Sequence, residues 1–165
     1  MSAVRSWEEL IAQVNQKAQN TLKYEVFEEV RDTYQKHIDQ DAYDAYSPSQ
    51  YERRDMGGGL ISDENIVGEV KGNILEVKDV APLNDFDLNG DIISHSSSGT
   101  ELGEIIEYGS AYTGNAPYLF NGDMSGQAWT QPRPFTENTI DDLQRNKQHI
   151  NAMKKGLQRQ GIKTK

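Results

Sequence analysis

The sequence predicts an α+β fold with N-terminal helices, a small antiparallel β-sheet with long loops, and a C-terminal amphipathic helix. Apolar residues recur at helical spacing near both ends of the chain. Between them, two short runs rich in valine and isoleucine flank a glycine-containing turn, which is typical of a β-hairpin. We expect a single domain in four parts: a helical part at 1–42, an extended loop at 43–65, a β-rich part with a short helix and a long loop at 66–131, and a C-terminal helix and tail at 132–165.

The N-terminal part begins with a helix-start signal. Ser6 and Glu9 have the spacing of a capping box, in which each side chain accepts a hydrogen bond from a free backbone N–H group. Two apolar stripes follow, and Asn20-Thr21 between them is either a break or a weak point in one long helix. We favour a short helix followed by a longer one. The stripes are Trp7, Leu10, Ile11, Val14 and Ala18, and then Leu22, Val26, Phe27, Val30, Tyr34 and Ile38.

The segment after the N-terminal helices changes character. Ser47-Pro48 disfavours helical geometry, and three glycines at 57–59 add backbone freedom. We therefore expect an extended loop over Tyr43–Leu60. Ile66–Val80 then has the pattern of a β-hairpin, with its turn at Lys71-Gly72-Asn73.

The second half of the chain alternates short elements with polar loops. Ile92-Ile93 predicts a short strand, and Thr100–Glu107 predicts a short helix that ends before Gly109. Residues 110–134 predict a long polar loop. A final helix, acidic in its first turns and basic in its last, is expected to end at Gly161. One narrow stripe of this helix, apolar except for Lys147, is Ile140, Leu143, Lys147, Ile150, Met153 and Leu157.

Composition excludes several classes of protein. The 165 residues carry 26 acidic and 17 basic side chains, a net charge of −9, which disfavours a nucleic-acid-binding surface. No apolar run approaches the roughly 18 residues of a membrane-spanning helix, and the N-terminus lacks the apolar region of a secretory signal. The absence of cysteine excludes disulfides, thiolate zinc sites and cysteine catalysis. Because 35% of residues are hydrophobic, we expect either a small domain with polar extensions or burial completed by partner subunits.

Charge is unevenly distributed along the chain. From Pro132 onward there are eight Lys and Arg against three Asp and Glu, a net +5, whereas the preceding residues carry 9 against 23, a net −14. An acidic body with a basic C-terminal helix has the complementarity for head-to-tail pairing in an oligomer. A solvated helix face gives the same pattern.

One short stretch has the pattern of a calcium loop. Asp85, Asp87, Asn89 and Asp91 place oxygen atoms at alternate positions, and Gly90 supplies the turn. The twelfth position is serine rather than glutamate, and the flanks predict strand and loop, so a turn between strands is the alternative. These four side chains are the candidate metal ligands, for Ca²⁺, and no other cofactor is expected.

Patterns for catalysis are weak. His37, His95 and His149 are far apart in sequence, and no zinc-protease or serine-hydrolase motif accompanies them. The glycines at 57–59 lack the lysine and hydroxyl residue that complete a phosphate-binding loop. We therefore expect a protein that is not an enzyme.

Two short elements near the C-terminus carry a family resemblance. Glu107-Tyr108-Gly109 is followed by a glycine-rich loop, then by Gln131-Pro132-Arg133-Pro134-Phe135 and a closing amphipathic helix. This pattern resembles the C-terminal half of the tail-completion, or head–tail joining, family of tailed bacteriophages. The order of helices, loop and hairpin upstream also follows that family, although the segments at 43–59 and 110–131 are longer than its pattern.

The resemblance implies a structural virion protein in the phage neck, between the portal-side connector and the tail, assembled in the host cytoplasm. It implies a homo-oligomeric ring of six or twelve subunits with neighbouring neck and tail proteins as partners. DNA would pass through the channel without specific binding, and no membrane would be involved. The alternative function is a calcium-dependent binding or adhesion module that uses Asp85–Asp91. Two prolines would hold Arg133 outward, where it is suited to a carboxylate. The residues expected at interfaces are Tyr46, Tyr51, Arg53, Arg54, Glu107, Tyr108, Gly109, Arg133 and Phe135.

Overall fold

The computed structural model describes residues 6–45, 58–81, 84–86, 92–94, 102–108 and 132–164. The fold is α+β, as predicted. Contacts group the chain into two units: the first comprises residues 1–33, 68–78 and 141–165, and the second comprises residues 34–67 and 79–140. The helices are α1 (Trp7–Thr21), α2 (Phe27–His37), α3 (Leu102–Tyr108), α4 (Phe135–Asn146) and α5 (Gln148–Arg159); the strands are β1 (Ile66–Lys71), β2 (Ile74–Asp79), β3 (Asn84–Phe86) and β4 (Ile92–Ser94).

The N-terminal helix starts where the sequence predicts but does not stop at Asn20-Thr21. The Ser6 Oγ accepts a hydrogen bond from the Glu9 backbone N–H at 3.1 Å, which caps α1. The expected break is absent because the Leu22 N–H donates to the Ala18 and Gln19 carbonyl oxygens and the backbone continues in helical turns. The Thr21 hydroxyl donates to the Lys17 carbonyl oxygen at 2.9 Å, within the helix. Helical geometry continues through π-helical turns at Leu22–Val26 and Ile38–Tyr43, on either side of α2.

Two strand pairs form the β part of the fold. Strands β1 and β2 form the predicted hairpin, and Gly72 in its turn has a φ of 62°. Strands β3 and β4 pair antiparallel, with Asp85 opposite Ile93. The strand predicted at Ile92-Ile93 is therefore confirmed.

The C-terminal helix is interrupted, contrary to the single helix expected from its apolar stripe. Lys147 adopts a left-handed conformation with a φ of 54° and separates α4 from α5. The stripe spans both helices, so its spacing carried no sign of the break. The predicted end at Gly161 is confirmed: Gly161 has a φ of 82°, and the Ile162 N–H donates to the Leu157 carbonyl oxygen at 2.9 Å.

Close contact between α1 and α5 organises the first unit. Gly156 is buried, and a Cβ atom there would overlap the Thr21 methyl group. The Gln160 side-chain amide donates to the Thr21 Oγ1 at 2.8 Å, and the Lys17 Nζ donates to the Gln160 carbonyl oxygen at 2.6 Å. Because residue 156 is glycine, the backbones of α1 and α5 lie close enough for Lys17 and Thr21 to form hydrogen bonds with Gln160.

The second unit has its own buried core. Its largest fully buried side chains are apolar, and the polar groups beside them are hydrogen-bonded. The Asn65 side-chain amide donates to the Gly59 carbonyl oxygen at 2.7 Å, and the Val80 N–H donates to the Asn65 carbonyl oxygen at 2.7 Å. These bonds tie the segment before β1 to the end of β2. Apolar residues of this core are Ile38, Ala42, Leu60, Ile66, Ala81 and Phe135.

A charged cluster covers the exposed face of the hairpin. The Lys71 Nζ lies 2.8 Å from Glu76 Oε2 and 3.0 Å from Glu69 Oε2, and the Lys78 Nζ lies 2.9 Å from Glu76 Oε1. Hydrogen bonds from Lys71 and then Lys78 lower the pKa of Glu76 to about 2. The hydrogen bonds that Lys71 donates to Glu76 and then to Glu69 raise the pKa of Lys71 to about 12.

We expect the Lys71→Ala substitution to raise the pKa of Glu76 toward the ordinary glutamate value of about 4.3. Because the folded-state pKa of Glu76 is depressed, its stabilising effect is present above that ordinary value and is lost as the pH falls toward 2. The cluster is exposed, so solvent keeps its effect on the free energy of unfolding small. NMR titration of the Glu76 carboxyl measures the change, with Lys23→Ala as control. An unchanged titration in Lys71→Ala contradicts this account.

Candidate interaction surfaces

Glu107, one of the predicted interface residues, caps a helix of its own chain. It lies in α3 and is buried, with 7% of its surface exposed. Its two carboxylate oxygens accept hydrogen bonds from the backbone N–H groups of Thr136, at 2.8 Å, and Glu137, at 3.3 Å. These N–H groups belong to the first turn of α4 and have no partner within that helix. The negative charge also complements the positive end of the helix dipole.

Arg133 joins the same helix start to the end of the N-terminal helix. Its backbone N–H donates to the carbonyl oxygens of Ile106, at 3.0 Å, and Glu107, at 3.1 Å. Its guanidinium Nη1 donates to the Ala42 carbonyl oxygen at 2.8 Å. The sequence predicted an outward arginine suited to a carboxylate. The side chain is half-buried, and its Nη1 contacts the C-terminal end of the helical segment Ile38–Tyr43. The last carbonyls of a helix lack intrahelical partners, so a cationic donor is favourable there.

Phe135 is the apolar centre of this junction. Its side chain is fully buried and meets the Tyr34 ring edge-on, with ring centroids 5.5 Å apart at 69°. The Tyr34 hydroxyl lies 3.3 Å from Thr136 Oγ1. Asp41 Oδ2 accepts a hydrogen bond from the Asn138 amide at 2.9 Å and lies 3.1 Å from His37 Nδ1. We call Glu107, Arg133, Phe135, Tyr34 and Asp41 the helix junction.

The other predicted interface residues are placed as follows. Tyr108 is 54% exposed at the end of α3. Tyr46, Tyr51, Arg53, Arg54 and Gly109 lie outside the described residues. Glu107, Arg133 and Phe135 make contacts within the chain, as given above. A role for any of these residues between subunits stays a prediction.

The calcium hypothesis stays a prediction as well. Asp85 lies in β3, and Asp87, Asn89 and Asp91 lie outside the described residues. Within the described ranges, no three His, Asp or Glu side chains form a group that could hold a metal ion. Residues 84–86 pair antiparallel with residues 92–94, on either side of the stretch that lies outside the described residues.

A second surface lies on α1 in the first unit. Four apolar side chains of its predicted stripe point to solvent, and Trp7 is 70% exposed. We call these residues the α1 face. An amphipathic stripe predicts burial, so a stripe left exposed among the described residues is a candidate interaction surface. The α1 face consists of Trp7, Leu10, Ile11 and Val14.

The stripe continues into an apolar groove of about 390 Å³. Ile150 at its edge is 42% exposed. His149 contributes the one titratable side chain among the lining residues, and its Nδ1 is buried without a hydrogen-bond partner among the described residues. The sequence placed His149 at the surface or partly buried, and did not identify the groove. The groove is lined by Ala18, Leu22, Val26, Asn73, His149, Ile150 and Met153.

Within the parts of the chain that the structure describes, no helix has the length and apolar character to cross a membrane. Helix α1 extends toward its N-terminus beyond Lys17 and Thr21, the two residues whose hydrogen bonds join it to the end of α5.

Comparison with known proteins identifies the family. The YomN family model matches residues 6–159. The chain is also 30% identical over 132 residues to the SPbeta prophage-derived uncharacterized protein YomN of Bacillus subtilis (strain 168), which covers 80% of this chain and 76% of that relative. No solved structure matches the chain. The family match spans nearly every described element, from the cap of α1 to the last residue of α5, and the chain therefore belongs to the YomN family.

Proposed function

We propose that the chain is a structural virion protein of a tailed phage that forms part of the neck ring joining the head connector to the tail. The helix junction carries the proposal. Glu107 and Arg133 belong to the two short elements, 107–109 and 131–135, that resemble the tail-completion family, and both residues contact the start of α4 or the segment just before it. Their contact supports the interpretation that the two elements act together as one motif. The YomN relative, named as prophage-derived, supports a phage origin.

The proposed mechanism is assembly by shape and charge. The junction holds the end of the N-terminal helix and the start of α4 in one arrangement, which lowers the entropy cost of docking. Copies of the chain form a ring of six or twelve subunits, and the acidic body of the chain faces DNA that slides past without specific binding. Neighbouring connector and tail proteins contact the ring at its two ends.

The test is a phage that carries an early stop codon in this gene. We expect filled heads and finished tails that fail to join, because a missing neck layer leaves no complementary surface between them. Electron microscopy and mass spectrometry of purified particles provide the measurement. Complementation with Tyr108→Ala, an exposed predicted interface residue, is compared with Ile74→Ala, an exposed apolar residue of β2 that the resemblance does not place at an interface. Infectious particles that assemble normally without the protein refute the proposal.

A further inference from the structure

We propose that a second copy of this chain docks on the first unit, with the α1 face of one copy seated in the groove of the other. The inference rests on the first unit alone and not on a position in a phage neck. It assigns an occupant to two apolar surfaces that are continuous along one helix.

The exposed apolar side chains supply the driving force. Trp7, Ile11 and Val14 are 70%, 45% and 43% exposed. Removing such side chains from water is favourable in proportion to the apolar area covered. Tryptophan is also the residue type that most often anchors protein interfaces, because it fills a pocket at small cost in conformational entropy.

The two surfaces match in length. From Trp7 to Val14 the helix rises about 10 Å, at 1.5 Å per residue. The groove is lined along the N-terminal helix from Ala18 to Val26, a rise of about 12 Å. One helix face therefore fits along the groove without leaving an uncovered end.

The charges around the two surfaces are complementary. Lys154 is exposed and lies four residues after Ile150, on the same side of α5 as this lining residue, and the exposed Lys147 immediately precedes α5. They give the groove a basic rim. Glu8 and Glu9 lie in the first turn of α1, beside the α1 face. A docked α1 brings its acidic end to the basic rim.

A second copy satisfies both requirements because this chain carries both halves of the contact. A membrane surface does not fit, since the acidic residues beside the α1 face would be repelled by anionic lipid headgroups. A small ligand does not cover the α1 face, which lies along the helix beyond the groove.

The absence of cysteine allows a direct test. Chains carrying Ile11→Cys and Ile150→Cys, distinguished by mass, are mixed and oxidised under mild conditions; both positions are exposed, so folding is preserved. We expect more mixed disulfide between the two chains than in the control, because the proposed contact sets the α1 face of one chain against the Ile150 edge of the other chain's groove, and a disulfide forms only when the two Cβ atoms come within roughly 4 Å. The control pairs Ile11→Cys with Ile74→Cys in β2. A mixed product no more abundant than in the control overturns the proposal.

Self-association in solution provides the second measurement. We expect Trp7→Ala to raise the dissociation constant measured by sedimentation velocity about tenfold or more. Tyr24→Ala, at a similarly exposed aromatic residue in the π-helical turn that follows α1, should leave it unchanged. Glu8→Lys and Lys154→Glu should each weaken association, and an equimolar mixture of the two variants should restore it. Restoration cannot arise from a destabilised helix. A chain that stays monomeric at 100 μM, whether by covering the α1 face with its own residues or by leaving it bare, refutes the contact.

These results are separable from those for the neck. Self-association through the α1 face in a chain that is dispensable for phage particles would uphold this contact and refute the neck proposal. A protein that is required for the phage neck but whose Ile11→Cys and Ile150→Cys variants do not cross-link would uphold the neck proposal and refute the contact.

Discussion

Replacing Gly156 with alanine is expected to destabilise the first unit by about 1–3 kcal/mol, although alanine is the better helix former by about 1 kcal/mol. The added Cβ would overlap the Thr21 methyl group, and it would lie 3.0 Å from the Glu25 Cδ. Glu25 can move its flexible end, but Thr21 is fully buried and its hydroxyl is held by Lys17 and Gln160. The helices must therefore separate. Urea denaturation followed by circular dichroism measures the loss.

The matched control for Gly156→Ala is the double variant with Thr21→Ser. Serine keeps the hydroxyl that donates a hydrogen bond to the Lys17 carbonyl oxygen and accepts one from the Gln160 amide. It lacks the methyl group that the added Cβ at position 156 would overlap. We expect the double variant to recover most of the lost free energy of unfolding, a coupling that independent sites would not show. A Gly156→Ala chain as stable as the parent, or one that Thr21→Ser fails to rescue, contradicts the close packing described for α1 and α5.

Replacing Phe135 with alanine is expected to cost about 3–5 kcal/mol of the free energy of unfolding. The side chain is fully buried, and its ring contact with Tyr34 is lost with it. Cavity formation adds to the lost burial because the helix junction around it is held by hydrogen bonds and cannot collapse. Thermal or urea unfolding gives the value. Ile140→Ala on the same helix, half-exposed, should change stability by less than about 0.5 kcal/mol.

The outcome for Phe135→Ala also decides how assembly experiments are read. A loss of several kcal/mol means that failed assembly in this variant reports unfolding, and that exposed residues such as Tyr108 are the informative ones. A chain that keeps its stability without the Phe135 ring would refute its place at the centre of the junction.

Local chemistry made several elements predictable. The Ser6 cap, the hairpin turn at Gly72 and the helix end at Gly161 each depend on one or two residues whose geometry is set by nearby backbone. The strand at Ile92-Ile93 and the helix α3 followed from short runs of apolar residues. Composition alone excluded disulfides and thiolate metal sites.

Other features were not predictable because they depend on partners distant in sequence. Arg133 is two residues from Phe135, yet its side-chain acceptor is the carbonyl oxygen of Ala42, and the Phe135 ring meets Tyr34. No local pattern encodes which helix end a guanidinium will reach. The left-handed Lys147 was hidden for another reason: a single residue of that conformation leaves the apolar spacing on both sides intact.

The sequence by itself determined the fold class, the boundaries set by caps and turns, and the apolar stripe of α1, because these depend on side-chain type at short range. Only the tertiary structure decided which part of that stripe is covered. Thr21 contacts the end of α5, and Ala18 lines the groove. The α1 face, from Trp7 to Val14, is exposed to solvent. Burial is a property of what packs against a residue, and that is settled by contacts between distant segments rather than by the residue itself.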